Sequence, residues 1–283
     1  MNQTTNFVVP QQIVTANITA AKGKTQLPLL RMILLGILAG MFIACGASAS
    51  SVAMHAISNV GLARLVAGCI FPVGLMMIVF VGGELFTGDC LMIMGCIHRK
   101  FSLLSMVKVL AVVWVSNLLG SVILAALVSA SGQFHYSGGL LGAFTIKVGL
   151  GKVSLNFGTA FVSGILCNIF VCIAVLMAAA AKDIVGKVFA IFFPILAFVV
   201  SGYEHCVANM YYIPAAIFAS ADPAYVQAAQ TAYGYTDSQL ASLNWSSFLL
   251  NNLVPVTLGN IVGGMIFVGL PLYLIHSAKI REE

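Results

Sequence analysis

FVGGELFTGD (residues 80–89) and VVSGYEHCVAN (residues 199–209) each place a glutamate, Glu84 and Glu204, inside a long apolar run with glycine close by. A carboxylate at the centre of a bilayer helix costs roughly 2.5 to 3.5 kcal/mol or more, so its presence signals function unless something compensates. The two stretches look like copies of each other. Phe71-Pro72 and a short apolar run lie upstream of Glu84, and Phe193-Pro194 and a similar run lie upstream of Glu204. Paired apolar segments interrupted by glycine, one in each half of a membrane protein, point to a substrate site near the bilayer midplane.

The rest of the chain identifies its solvent. Of its 283 residues 60% are hydrophobic and only 7% are charged, with a mean hydropathy of +1.04, whereas soluble domains carry about a quarter charged residues. Crossing about 30 Å of hydrocarbon takes about 20 apolar residues. Stretches of that kind fall near residues 29–53, 64–97, 104–130, 157–181, 187–219 and 247–276. This predicts an all-α integral membrane protein with six transmembrane helices, the second and fifth broken at the glutamates. Residues 1–28 form an N-terminal segment without the early basic cluster and short apolar core of a signal peptide. Residues 29–276 form the transmembrane unit, and 277–283 a short C-terminal tail.

The net charge of +5 would suit nucleic acid or an anionic partner, but its distribution has a simpler reading. Lys22, Lys24, Arg31, Arg99, Lys100, Lys108, Lys182, Lys187, Lys279 and Arg281 fall on one side of a six-span arrangement, and only Arg64, Lys147 and Lys152 on the other. The positive-inside rule then puts both termini in the cytoplasm. The seven cysteines show no CxxC pair, and Cys45, Cys69, Cys167, Cys172 and Cys206 lie within apolar spans, as buried small hydrophobes do. There is no P-loop, no dinucleotide fingerprint and no paired metal-ligand histidines. The expectation is a protein without cofactor, metal site, nucleic-acid partner or enzymatic activity. His98 and His135 read as solvated.

An internal repeat organises the spans. Residues 29–130 give three and residues 157–276 give three more, with the broken span in the middle of each set. An odd number of spans per repeat makes the two copies inverted. Ser116-Asn117-Leu118-Leu119-Gly120 in the third span matches Gly259-Asn260-Ile261-Val262-Gly263 in the sixth. These residues suit close helix packing with an interhelical amide hydrogen bond; Asn117 and Asn260 suit equally the anchoring of a broken helix.

Backbone that leaves helical form at membrane depth is tolerated only where protein buries it or a cavity wets it. A half-helix that starts at such a break aims its free N–H groups and partial positive charge inward, and the natural guest is an anion or a polar acid. Glu84 and Glu204 then serve as structural partners of the broken backbone or of nearby hydroxyls, while Thr87 and His205 offer donors to the path. His205 is the histidine at the centre of a span.

GGELFTGD (82–89), GILCN (164–168) and above all GYEHCVANMYYIP (202–214) resemble the signatures of the formate/nitrite transporter family of bacterial membrane channels. The resemblance covers nearly the entire chain, and Lys152 precedes GILCN by the family's interval. It implies an aquaporin-like protomer in a homopentamer with one pore per protomer, set in the bacterial inner membrane. Small monovalent anions or their conjugate acids, such as hydrosulfide, formate or nitrite, are the implied permeants. By position Phe71, Leu75, Phe86 and Phe198 are the implied constrictions. Thr87 sits on the loop after the first break, His205 at mid-path and Lys152 at the outer approach, with Asn168 and Asn209 completing the polar network. Within the family the chain is most similar to the hydrosulfide-conducting subtype of clostridial type. Asp89 departs from the pattern, because many relatives carry asparagine there.

Two other classes compete. A neutral-solute channel of aquaglyceroporin type would carry paired Asn-Pro-Ala loops, which are missing here, and a haem-bearing redox subunit would need at least two facing deep histidines.

Overall fold

The computed structural model describes residues 6–280, with side chains through residue 276. The C-terminal tail's Lys279 and Arg281 therefore lie outside the described side chains. Six helices are long and apolar enough to cross a membrane: Leu29–Met54, Val60–Val81, Leu103–Ala130, Phe157–Ala180, Ile184–Ser201 and Trp245–His276. Two shorter apolar helices, Phe86–Ile97 and Cys206–Ala219, follow the second and fifth of these. Each broken span is thus a long half, a four-residue gap and a short half.

Glycine creates both gaps. Gly82 adopts φ +104° and Gly202 φ +74°, a region closed to most side chains. Gly202 ends its helix in the left-handed conformation common after helix C-termini, and its N–H returns to the Phe198 carbonyl at 3.1 Å. A methyl group on Gly202 would also stand 2.4 Å from the Arg64 guanidinium. Gly88, by contrast, has an ordinary φ and lies within the short helix that starts at Phe86.

Small residues set the packing around the gaps. The first and third spans meet at backbone distance: an added Cβ would lie 2.0 Å from the Ile37 carbonyl at Gly120 and 2.2 Å from the Asn117 carbonyl at Gly40. The fourth and sixth spans repeat the contact, with 2.1 Å to the Phe161 carbonyl at Gly259 and 2.3 Å to the Ile165 carbonyl at Gly263. Without a hydrophobic drive between helices in lipid, such close approach is what holds them together.

Among the helices that lie outside the span reading, two lead the halves of the chain. Pro10–Thr25 buries Val14, Ile18 and Ala21 along one face and packs against the end of the last span, so this helix and the end of the last span share one side of the molecule, here called the terminal side. Leu140–Val153 begins after Gly139 at φ +89°. It packs against Cys206–Ala219 and Pro223–Tyr233 on the far side. Residues 131–156 are therefore not a plain connection. At 1.5 Å per residue a 14-residue helix reaches only about 21 Å, too short for a hydropathy reading to register it. Each of these helices precedes the first span of its half, so each three-span repeat is led by a short helix. The cysteine expectation also needs amendment, since Cys69 is exposed and Cys45 half-buried.

Candidate functional site

The two gaps are held by matched asparagines. The Phe86 N–H donates to Asn117 Oδ1 at 3.0 Å, and the Cys206 N–H donates to Asn260 Oδ1 at 2.9 Å. Asn117 Nδ2 donates to the carbonyls of Gly36 and Glu84 at 2.8 and 2.9 Å. Asn260 Nδ2 donates to the carbonyls of Gly164 and Glu204 at 2.7 and 3.0 Å. Each fully buried amide thus satisfies the first N–H of a half-helix and ties the gap to a neighbouring span. A buried backbone group left unpaired costs about 1–3 kcal/mol, so these contacts compensate the breaks.

The glutamate side chains have other partners. Glu204 receives Lys152 Nζ at 2.9 and 3.1 Å and Asn209 Nδ2 at 2.6 Å. Asn252 completes this set from the last span: its Oδ1 accepts from Asn209 Nδ2 at 2.8 Å and its Nδ2 donates to the Lys152 carbonyl at 2.9 Å. Lys152 is therefore an ion-paired, largely covered side chain, 16% exposed, rather than a free vestibule lysine. Its Nζ also lies 5.3 Å from the Tyr212 ring centroid. On the terminal side Glu84 pairs with Lys24, which also donates to Asp89 Oδ1 at 2.6 Å. Burial works against the Lys24 ammonium, but Asp89 and Glu84 outweigh it and raise its pKa above the ordinary lysine value, so the charge is retained at neutral pH.

Between these clusters the two half-helices meet. Thr87 Oγ1 and His205 Nε2 are 2.9 Å apart, both buried. His205 Nδ1 accepts the Ala208 N–H at 3.0 Å and so caps the second half-helix. An Nδ1 that accepts carries no proton. The neutral ring then bears its proton on Nε2, which donates to the Thr87 oxygen, and the hydroxyl hydrogen of Thr87 is free for a guest. Protonating the ring would cost the cap. The Thr87 carbonyl is held by Asn168 Nδ2 at 3.1 Å, which also donates to the Asn260 carbonyl at 2.7 Å.

Cavities approach this pair from both sides. A far-side cavity of about 860 Å³ is lined by Arg64, Lys147, Lys152, Glu204, Asn209 and His205. It also touches Phe71 and Phe198, whose rings meet edge to face with centroids 5.6 Å apart. A terminal-side cavity of about 330 Å³ is lined by Lys24, Asp89, Leu75 and Leu85. The structure thus brings Phe71 and Phe198 together on one side of Thr87 and puts Leu75 on the other. Phe86, 3% exposed, lines neither cavity, and Asn168 acts from behind the loop.

Sequence reasoning missed Lys24, Asn252, Leu85 and Arg64 as site residues. Lys24 was hidden in an N-terminal segment counted only for charge, and Asn252 stands in a widened turn of the last span, where an amide in an apolar run was the available signal. Nor are the peripheral histidines merely solvated, since His98 Nδ1 lies 3.3 Å from the Tyr273 hydroxyl and His135 Nδ1 2.9 Å from the Tyr225 hydroxyl. Among the described residues no three His, Cys, Asp or Glu side chains gather as metal ligands would.

Both the sequence and the fold are similar to those of known proteins. The family model for formate/nitrite transporters matches residues 11–274. A probable formate transporter of Methanothermobacter thermautotrophicus is 38% identical over 281 residues, covering 93% of this chain and 95% of that protein. The formate channel FocA of Haemophilus influenzae is 38% identical over 211 residues, covering 74% and 73%. A solved pentameric formate channel with formate bound superposes with a TM-score of 0.77 at 36% identity, covering 88% of this chain and 97% of that one.

Proposed function

This chain belongs to the formate/nitrite transporter family, and on that premise we propose that it conducts a small monovalent anion or its conjugate acid through the path between the two cavities. Formate is the first permeant to test, because the similar proteins are described as formate channels and transporters. Hydrosulfide and nitrite follow; the similarity to the hydrosulfide subtype has no counterpart among these relatives. The likeness to a pentameric channel supports a homopentamer. The bias of basic residues towards the terminal side supports cytoplasmic termini in a bacterial plasma membrane, and the family supports a channel rather than an enzyme.

The observation that carries the reading is the neutral His205–Thr87 pair between two cavities with cations in their walls and apolar narrows beside it. Arg64 and Lys147 in the far-side wall, beyond the Lys152–Glu204 pair, raise the local anion concentration there. The apolar narrows then disfavour the charged form and raise the pKa of a weak acid, so the permeant crosses as the neutral acid. Thr87's free hydroxyl hydrogen serves the permeant oxygen or sulfur at the midpoint. The test is flux into proteoliposomes, comparing formate, nitrite and hydrosulfide with glycerol as the neutral control. Uptake of glycerol without uptake of any of the three acids would sink the proposal.

A further inference from the structure

The two halves of the site differ at one position. Glu84 and Glu204 occupy equivalent places after the glycine breaks, and five residues on stand Asp89 and Asn209. On the far side one lysine, Lys152, faces one carboxylate, Glu204, with the neutral amides of Asn209 and Asn252 filling the set. On the terminal side one lysine, Lys24, faces two carboxylates, Glu84 and Asp89. Asp89 is only 2% exposed, and its Oδ2 has no hydrogen-bond partner, although the residue lines the terminal-side cavity.

Two carboxylates that grip a single ammonium in a covered site leave one negative charge uncompensated. Such pairs hold one proton between them. The other titratable groups near Asp89 are the thiols of Cys90 on its own helix and Cys172 on the fourth span, which bring no positive charge. A bare anionic oxygen in an apolar wall is costly, whereas a neutral hydroxyl there is a donor that an incoming guest can use. A protonated Asp89 is also the neutral mimic of Asn209, restoring the charge count of the far-side set.

We propose that Glu84 and Asp89 form a proton-binding site on the terminal side, with the proton resting on Asp89 Oδ2, the oxygen that Lys24 leaves free, beside the cavity that Asp89 lines. Its role in transport rests on the anion-path reading above; its occupancy by a proton does not. In transport the Oδ2–H bond breaks and the proton passes to an oxygen or sulfur of the entering anion. That yields the neutral acid and leaves an Asp89 carboxylate, which takes its next proton from water on the terminal side, the hydroxide left behind passing to that solution. The far side, with amides in the matching places, has no such donor.

Infrared spectroscopy of the whole protein in ester-free detergent tests occupancy without any flux. A carboxylic-acid C=O band at neutral pH is expected that shifts on 13C-aspartate labelling and vanishes in Asp89→Asn. The labelled wild type suffices if that variant folds poorly, because Asp183, Asp222 and Asp237 are not buried. Absence of the band, or its survival in a folded Asp89→Asn protein, overturns the proposal. For the transport step, wild-type formate uptake should fall as the terminal-side pH rises through the titration of the band, and Asp89→Asn should lose that dependence. Unchanged pH dependence in the variant overturns the donor role. A band of the expected behaviour in a protein that moves none of formate, nitrite and hydrosulfide would instead refute the anion-path reading and leave the proton site standing.

Discussion

Thr87 and His205, 118 residues apart in sequence, are joined by a 2.9 Å contact between Oγ1 and Nε2; Thr87 lies in the short half of the first broken span and His205 is the last gap residue of the second, at the cap of its short half. The contact has a direction because His205 Nδ1 is already occupied by the Ala208 N–H. The site therefore works with a neutral imidazole that donates to Thr87.

Replacing His205 by Phe removes both the cap and the partner of Thr87. A lost helix cap costs about 0.5–2 kcal/mol, so thermal unfolding in detergent should occur at lower temperature and formate flux should be lost. His205→Asn keeps an oxygen that can cap and should recover most of the stability without recovering flux. Thr87→Ser should conduct and Thr87→Val should not. Normal flux in a folded His205→Phe protein would remove the pair from the mechanism.

Lys152 holds structure as well as charge. Breaking a buried ion pair from one side costs about 3–5 kcal/mol, and the 16% exposure of Lys152 places this pair towards the lower end. Lys152→Met should destabilise the protein markedly, and Lys152→Met with Glu204→Gln should restore much of the loss. A lysine acting only as an anion attractor predicts the opposite: an unshifted melting temperature and a flux defect that fades at high salt.

Asn117 and Asn260 perform the same task by symmetry, so their leucine variants should suffer alike. Each change strands one N–H and one gap carbonyl, of Glu84 or Glu204, and removes a second bond to a helical carbonyl, at about 1–3 kcal/mol per unsatisfied group before local rearrangement. A large melting-temperature drop in one variant and none in the other would contradict the equivalence.

The glycines on either side of Glu84 are not interchangeable. Gly82 uses φ +104°, and alanine there should cost about 1–2 kcal/mol. Gly88 sits in ordinary helical geometry, with the nearest atom to an added Cβ, Val175 Cγ2, at 3.5 Å, so Gly88→Ala should fold normally. If the segment from Glu84 to Asp89 switches between arrangements, Gly82 and the amide grip of Asn117 and Asn168 are where the hinge acts. Comparison of melting temperatures and of flux for the two alanine variants distinguishes these positions.

Composition and local pattern were enough to determine much of this protein. Long apolar runs must become helices in a bilayer because no other open structure satisfies the backbone there, and glycines beside Glu84 and Glu204 mark where those helices stop. The repeated Asn and Gly of the third and sixth spans announced close packing and a possible anchor. What the sequence left open required distance information. Lys24 and Lys152 sit in short helices whose length and mixed polarity hide them from a hydropathy reading, and their carboxylate partners are 60 and 52 residues away. The tautomer of His205 depends on a backbone N–H that becomes available only when the fifth span breaks. The imbalance at Asp89 became visible only through the tertiary pairing, because one lysine shared by two carboxylates is a property of their meeting point and of no local stretch.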